Sequence, residues 1–201
     1  MTKRIPMADN EHRLDAIRRF AEACHYEQRH SEQVARLAER LFDALRPLHR
    51  LDDSSRFLLS AACLLHDIGW TSGQKAHHKQ SMQRILDDTT LPLSQEERTI
   101  VALVARYHRK SLPDPSHPVY GGLTDTRRGV IDRLSALLRM ADGLDRSHTD
   151  AVASLSVTIT DTRVEIRCGI RGDAAEELQY GKAKADLFER VFGREAVFLK
   201  A

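Results

Sequence analysis

The sequence predicts a mainly α-helical fold with a small α+β unit at its C-terminal end. Over residues 8–148, apolar side chains recur at the three- and four-residue spacing of amphipathic helices. After Asp150 the pattern changes, and apolar and polar residues alternate over residues 155–159 as they do in β-strands. We therefore expect a helical domain over residues 1–150 and a small α+β subdomain over residues 151–201.

The composition is that of a globular protein without a strongly charged partner. The chain has 201 residues, of which 41% are hydrophobic and 30% charged, and its formal net charge is +2. This charge gives no reason to expect sequence-specific nucleic-acid binding or a membrane surface as partner. The N-terminus lacks a signal-like apolar stretch, and no segment has the apolar length of a membrane span. The three scattered cysteines form no C-x-x-C pair, so we expect a reducing, cytoplasmic location.

Capping and breaking residues divide the first part of the chain into helices. Residues 34–45 have one apolar helix face, and Pro47 discourages continuation of that helix. Residues 53–66 are apolar enough for a buried helix, and Gly69 is the expected stop.

Three more helices and a loop are predicted before the β-rich tail. Residues 81–86 belong to one helix, and Ser94 with Glu97 has the spacing of a capping box that opens another. Residues 111–122 hold three prolines and a Gly-Gly pair, so they are expected to be a loop. Residues 130–144 are a strongly apolar helix.

The tail is predicted to be a β-β-α-β unit. Two antiparallel strands around residues 155–159 and 164–166 are joined by a turn at residues 161–162. A helix over residues 174–192 and a short strand over residues 196–199 complete it.

Histidines and aspartates at the ends and inner faces of the predicted helices suggest a metal centre. His66 and Asp67 end the buried helix, where an imidazole and a carboxylate are costly unless something binds them. With His30 and Asp142 they offer four donors for one divalent ion, and two further histidines would allow a second ion bridged by Asp67. Nitrogen and oxygen donors suit Mn, Fe, Co, Ni, Zn or Mg. The six candidate ligands are His30, His66, Asp67, His77, His108 and Asp142.

Simpler interpretations of these residues stay open. His66 alone could be a core histidine bonded to a carbonyl, with Asp67 a helix cap. Of the adjacent pair His77 and His78, one is expected to be a ligand and the other exposed, and we prefer His77. Trp70 either packs beneath the metal loop or lines a pocket mouth. The histidines expected at the surface are His12, His25, His49, His117 and His148.

Basic residues near the candidate ligands fit an anionic substrate. Three of them flank His108, and two lie one turn before and after Asp142. Guanidinium groups match phosphate oxygens, and two ions ~3.5–4 Å apart can activate water beside a phosphoryl group. We therefore expect hydrolysis of a phosphoester or phosphoanhydride with His66 and Asp67 as catalytic residues, although these cations could also be a solvated basic face. The candidate substrate-binding residues are Arg106, Arg109, Lys110, Arg139 and Arg146.

At these positions the chain resembles the HD superfamily of metal-dependent phosphohydrolases. His30, His66-Asp67 and Asp142 match the defining pattern of that superfamily in order and rough spacing. His77 and His108 match the additional histidines of members with two metals. The resemblance implies an HD-type helical domain in which these six residues hold one or two ions.

A closer resemblance is to the C-terminal HD region of the exopolyphosphatase/guanosine pentaphosphate phosphatase (Ppx/GppA) family. Its segments here are residues 62–69, 77–81, 106–110 and 137–147, with similar tail residues at 182, 187–188 and 192–193. That family's phosphatase site belongs to a separate actin-like ATPase-fold region that these 201 residues do not include, so only the HD-type site carries over. Trp70 stands where many two-metal HD phosphodiesterases have lysine, which argues against a cyclic-dinucleotide phosphodiesterase.

Two functions of different classes follow. The first is an HD-type phosphohydrolase acting on a nucleotide or another small phosphorylated compound. The alternative is a non-catalytic module that binds polyphosphate, a nucleotide or a separate phosphatase subunit. The six ligand-type residues favour the enzyme, because a degenerate site would be expected to have lost some of them. Helical domains with amphipathic tails often pair, so a homodimer is also compatible with the sequence.

Overall fold

Ten helices and one three-stranded sheet make up the part of the chain that the computed structural model describes, residues 7–70 and 76–201. The helices are Met7–Ala23 (α1), Gln28–Ala44 (α2), Arg46–His49 (α3), Asp53–Leu65 (α4), His77–Asp87 (α5), Gln95–Arg106 (α6), Pro118–Gly121 (α7), Asp125–Gly143 (α8), Ala175–Ala183 (α9) and Asp186–Phe192 (α10). The strands are Val152–Ile159 (β1), Arg163–Ile170 (β2) and Glu195–Lys200 (β3). The predicted mainly helical fold with a small C-terminal α+β unit is confirmed. Within these residues, none of the helices is both long and apolar enough to cross a membrane.

Helix α4 is the centre of the core. It begins at a cap in which the Ser55 amide donates to the Asp52 carboxylate over 2.9 Å, and from Phe57 to Leu65 every residue is buried. The helix packs against α1, α2, α6 and α8. Each buried Leu side chain contributes about 1.5–3 kcal/mol to folding, so this apolar run fixes the position of His66 at the end of the helix.

Helices α6 and α8 also begin at side-chain caps. The predicted capping box is present, because the Glu97 amide donates to Ser94 Oγ and the Ser94 amide donates to Glu97 Oε2. Helix α8 begins five residues before the predicted start, because Thr124 accepts a hydrogen bond from the Arg127 amide. The C-terminal end of α8 brings Asp142 into the core.

The tail differs from its prediction at one point. The helix expected over residues 174–192 is two helices, α9 and α10, so the unit is β-β-α-α-β. The chain turns at Lys184 and Ala185, where the Ala185 amide donates to the Lys182 carbonyl over 3.1 Å. This turn directs Lys184 and Asp186 toward side chains of α8, and these tertiary partners are the reason for the break. The loop expected over residues 111–122 likewise contains the short helix α7.

The small sheet has the order β1-β2-β3. Strand β1 is antiparallel to β2, with Val157 opposite Ile166, and the turn predicted between them is confirmed. Strand β3 is parallel to β2, with Phe198 opposite Ile166. Helices α9 and α10 pack against both α8 and β3, so the β-rich tail rests on the helix that carries Asp142.

Gly69 has a different role from the predicted one. Helix α4 already ends at Leu65, and Gly69 does not adopt a left-handed conformation. A Cβ atom on Gly69 would lie 2.3 Å from the His77 carbonyl oxygen and 2.7 Å from the Ser81 amide nitrogen. The Gly69 amide also donates to Ser81 Oγ over 3.0 Å. The glycine therefore permits the close approach of α5 to the end of α4.

The prediction that His49 lies at the surface is wrong. The side chain is buried against Phe42. Its Nε2–H donates to the Phe42 carbonyl over 2.7 Å, and its Nδ1 accepts from the Leu51 amide over 2.9 Å. Burial lowers the pKa of His49, so the ring holds these two bonds in its neutral form.

Candidate metal centre

The six candidate ligands lie together where α2, α4, α5, α6 and α8 meet. Two groups of three residues each offer one ligand atom, and within a group these atoms lie within 4.8 Å of one another. The first group consists of His30, His66 and Asp142. The second group consists of Asp67, His77 and His108. All six residues come from the first or last turn of a helix or directly follow a helix end, so their convergence depends on how the helices pack.

The first group is buried between the starts and ends of three helices. Asp142 Oδ1 lies 3.3 Å from His30 Nε2 and 3.8 Å from His66 Nε2. The ring centroids of the two histidines are 5.3 Å apart. All three residues are buried, so any charge placed between them is shielded from water.

The second group is centred on Asp67. Its Oδ1 lies 3.3 Å from His77 Nε2 and 3.4 Å from His108 Nε2. Its other oxygen, Oδ2, lies 3.6 Å from His66 Nε2 in the first group. Asp67 therefore faces both groups at once.

Backbone carbonyls determine which ring nitrogen carries the proton in two of the histidines. His66 Nδ1 lies 2.6 Å from the Cys63 carbonyl, and His108 Nδ1 lies 2.6 Å from the Ala105 carbonyl. A carbonyl only accepts, so each Nδ1 must be the donor and each Nε2 of a neutral ring carries a lone pair. Burial lowers the pKa of His66 to about 4 and that of His108 well below its usual range. Both rings are thus neutral and turn their lone pairs toward Asp67 and Asp142.

The carboxylate of Asp145 contacts Nδ1 of His30, as the backbone carbonyls contact Nδ1 of His66 and His108. Asp145 was not among the predicted residues. Its Oδ2 lies 2.8 Å from His30 Nδ1, and its Oδ1 accepts from the Asp150 amide over 3.1 Å. A carboxylate behind the second ring nitrogen is the usual support of a metal-binding histidine. The available signal was its position three residues after Asp142, which places both carboxylates on one side of the helix end.

The donor set fits a divalent metal ion. His66 Nε2 and Asp67 Oδ1 are buried and have no hydrogen-bond partner among the described residues. Lone pairs that face an ionised carboxylate at 3.3–3.8 Å repel it. A cation between them would bind both, and nitrogen and oxygen donors of this kind suit the borderline divalent metals.

Lys184 enters the centre from the C-terminal tail. Its ammonium group donates to Asp142 Oδ2. Burial lowers the pKa of Lys184 to about 7, and the nearby positive charge of Arg139 adds to this effect. Helix α9 reaches this position because Gly143 lets it approach α8 closely; a Cβ on Gly143 would lie 2.7 Å from the Tyr180 carbonyl oxygen. No sequence signal connects Lys184 with Asp142, which lies 42 residues away.

Of the predicted substrate-binding residues, Arg109 lies closest to the ligands. Its Nη1 donates to His77 Nε2 over 3.0 Å. Arg139 has a different environment: it is buried, forms three hydrogen bonds to Asp186 at 2.8, 3.0 and 3.1 Å, and donates to the Tyr107 carbonyl. The Arg139 guanidinium therefore links α8, α6 and α10.

The remaining three cations lie outside the two groups. Arg146 is exposed and lies over the Tyr180 ring, 4.9 Å from its centroid. Lys110 is also exposed. Arg106 is buried beside a groove between α5, α6 and α7. Roles for any of these residues in substrate binding stay predictions.

Three aromatic side chains border the centre, and two of them, His78 and His148, are more buried than predicted. Trp70 is 43% exposed and stacks on His77, so it covers one edge of the second group instead of packing beneath it. His78 is buried, whereas the second histidine of the pair was expected to be exposed. Burial lowers the pKa of His78 to about 4. His148, expected at the surface, is only partly exposed, and its ring stacks on His30 at 3.9 Å.

Comparison with family models supports the resemblance to the Ppx/GppA family. A family model described as Ppx/GppA phosphatase, domain III, matches residues 13–178. This range includes all six candidate ligands and Asp145, whereas Lys184 lies beyond it. A search of curated proteins finds no match. Because the match covers more than half of the sequence, the chain belongs to the Ppx/GppA phosphatase family and corresponds to its domain III.

Proposed function

We propose that this chain is a metal-dependent phosphohydrolase of the HD type. Its substrate would be a phosphoester or phosphoanhydride of a nucleotide or another small phosphorylated compound. The observation that carries the proposal is the orientation of His66 and His108, whose unprotonated nitrogens face carboxylate oxygens with no donor between them. Such an arrangement stabilises a bound cation and is unfavourable without one.

Each group of three residues would hold one ion. His30, His66 and Asp142 would bind the first, and Asp67, His77 and His108 would bind the second, with Asp67 shared through its two oxygens. When bound, the ions would supply Lewis-acid polarisation of the phosphoryl oxygens and would lower the pKa of the attacking water. Mn, Fe, Co, Ni, Zn and Mg all suit this mixture of imidazole and carboxylate donors.

The chain's own cations would orient the substrate. Arg109 lies at the second group and Lys184 at the first, so a phosphoryl group between them would be held from two sides. Arg109 now donates to His77 Nε2; an ion bound at that nitrogen would displace this hydrogen bond and leave the half-buried guanidinium beside the ion for a phosphoryl group. Trp70 would shield one edge of this space from water. Positioning of this kind lowers the barrier because the reacting groups are held in place before the reaction.

A second candidate function is a non-catalytic module that binds polyphosphate, a nucleotide or a separate phosphatase subunit. The family match favours it, since the matched model is domain III of these phosphatases. In that case the basic residues would bind the anion, and the metal centre would stabilise the fold.

Phosphate release by metal-loaded protein separates the two candidates. The protein is stripped with a chelator, reloaded with each of the six metals, and assayed on nucleoside phosphates, phosphodiesters and polyphosphate. We expect turnover with at least one metal, and its loss in Asp67→Asn. Asp161→Asn, in the exposed β1–β2 turn, is the matched control and should keep full activity. Circular dichroism checks that both variants keep the helical content.

The opposite result would favour the binding module. Metal-loaded protein that hydrolyses none of these compounds, yet binds polyphosphate equally well with and without metal, contradicts the enzyme. Equal turnover in Asp67→Asn and wild type would show that any hydrolysis arises elsewhere.

A further inference from the structure

A groove of about 400 Å³ lies between α5, α6 and α7. None of the six candidate metal ligands lines it, and neither does any carboxylate. Its apolar side chains include Met82, Leu103 and Val119, and its cations are Arg106 and Lys79. It is therefore distinct from the metal centre, although α5 and α6 contribute to both.

Arg106 is a buried cation without a counter-charge. The residue is only 8% exposed, and its Nη1 is fully buried without a hydrogen-bond partner among the described residues. It forms no ion pair with any carboxylate in residues 7–70 or 76–201, and the two remaining segments contain no Asp or Glu. Burying an unpaired guanidinium is costly. The fold keeps this cation at the wall of a groove, where a bound anion would pair with it.

The surroundings of Arg106 define the chemistry of that anion. Lys79 adds a second positive charge at the exposed rim. Asp132 does not line the groove, and its carboxylate accepts a hydrogen bond from the hydroxyl of Tyr120, a lining residue, over 2.8 Å. Val119 is 39% exposed, which is unusual for a large apolar residue in this chain. The groove thus combines an apolar surface with positive charge at one end.

We propose that this groove is a binding site for a small organic anion. Its carboxylate, sulfonate or phosphate group would pair with Arg106 and Lys79. Its apolar, planar part would pack against Met82, Leu103 and Val119. The site does not depend on the proposed hydrolysis, since no metal ligand contributes to it.

A pair of matched probes tests the proposal. Naphthalene-2-sulfonate carries the charge, and naphthalene-2-sulfonamide is its neutral analogue of nearly the same shape. Binding of each is followed by NMR titration of metal-stripped protein in excess EDTA, so that the metal centre cannot hold the sulfonate through an ion. We expect the sulfonate to bind at least tenfold more tightly than the sulfonamide. In Arg106→Met most of this preference should be lost, because only Lys79 at the exposed rim would remain to pair with the anion, whereas Arg167→Met, which removes an exposed arginine on β2, should leave it unchanged.

Further variants keep the test decisive. Met replaces a desolvated charge in Arg106→Met, so this variant should fold and melt at or above the wild-type temperature. Should it fail to fold, Val119→Asp places a carboxylate at an exposed rim position and should weaken sulfonate binding by about tenfold. Equal affinity for the two probes, no binding of either, or binding that is lost in Asp67→Asn but retained in Arg106→Met would overturn the proposal.

Discussion

Replacing Gly69 by alanine tests how the metal centre is assembled. The new Cβ would lie 2.3 Å from the His77 carbonyl oxygen, where ordinary contact begins at 3.4 Å, so about 1.1 Å of overlap must be relieved. The contacted atoms belong to the backbone at the start of α5 and cannot rotate away. Helix α5 must therefore shift from the end of α4, and His77 would move with it away from Asp67.

The size of this overlap sets the expected loss of stability. Overpacking that forces backbone shifts costs about 1–3 kcal/mol of folding free energy. For a chain of this length, that corresponds to a melting temperature lower by about 2–12 °C. Displacement of one ligand by more than about 0.5 Å also weakens a metal site, so we expect the second group to lose at least tenfold in metal affinity while the first group loses less.

Thermal and urea unfolding measure the stability change, and calorimetric titration with Mn or Ni measures the two affinities. Gly122→Ala is the matched control, because its Cβ would meet nothing closer than 3.5 Å and its backbone is already right-handed helical. It should change stability by less than about 0.5 kcal/mol. If Gly69→Ala matches Gly122→Ala in both melting temperature and metal affinity, the close-approach argument is wrong.

Three further substitutions probe other contacts. Asp186→Ala should lower the free energy of unfolding by about 1–2 kcal/mol in urea titrations, because Arg139 would stay buried without its half-exposed carboxylate partner; an unchanged midpoint contradicts this. Lys184→Met removes the positive charge at the first metal group, so calorimetry should show metal binding that is about tenfold tighter, and the hydrolysis assay should show a higher KM. Lys182→Met, which removes a lysine from a surface ion pair, is the control and should change neither quantity. The pKa of His49 is lowered in the folded chain, so below about pH 6.5 the unfolded chain takes up a proton that the folded chain does not, and the free energy of unfolding decreases as the pH decreases. In His49→Gln the loss of stability between pH 7 and 5 should be smaller. The same dependence of stability on pH in the variant and the wild type would exclude this contribution.

Local signals explain which helices could be predicted from the sequence. The capping box of Ser94 and Glu97 fixes the start of α6 within four residues, and the apolar run of α4 marks a buried helix without reference to the rest of the fold. The break between α9 and α10 has no such signal. It exists because Lys184 and Asp186 reach partners on α8, and a tertiary contact of this kind is invisible to local periodicity.

The candidate site also contains residues that the sequence could predict and residues that it could not. Residue type and position at helix ends were enough to select six residues that lie close together in the fold. The groups that support them were missed, because Asp145 and Lys184 act through contacts with His30 and Asp142 that only packing creates. Burial of His78 was missed for a related reason, since the pattern of α5 does not reveal which neighbours cover each face.

The most direct test of the account is anomalous X-ray diffraction from crystals grown with Mn or Zn. We expect two anomalous peaks, one coordinated by His30, His66 and Asp142 and one by Asp67, His77 and His108, with Lys184 moved off the Asp142 carboxylate. Crystals of metal-loaded protein without a peak at either position, or with peaks only at surface residues, would contradict it.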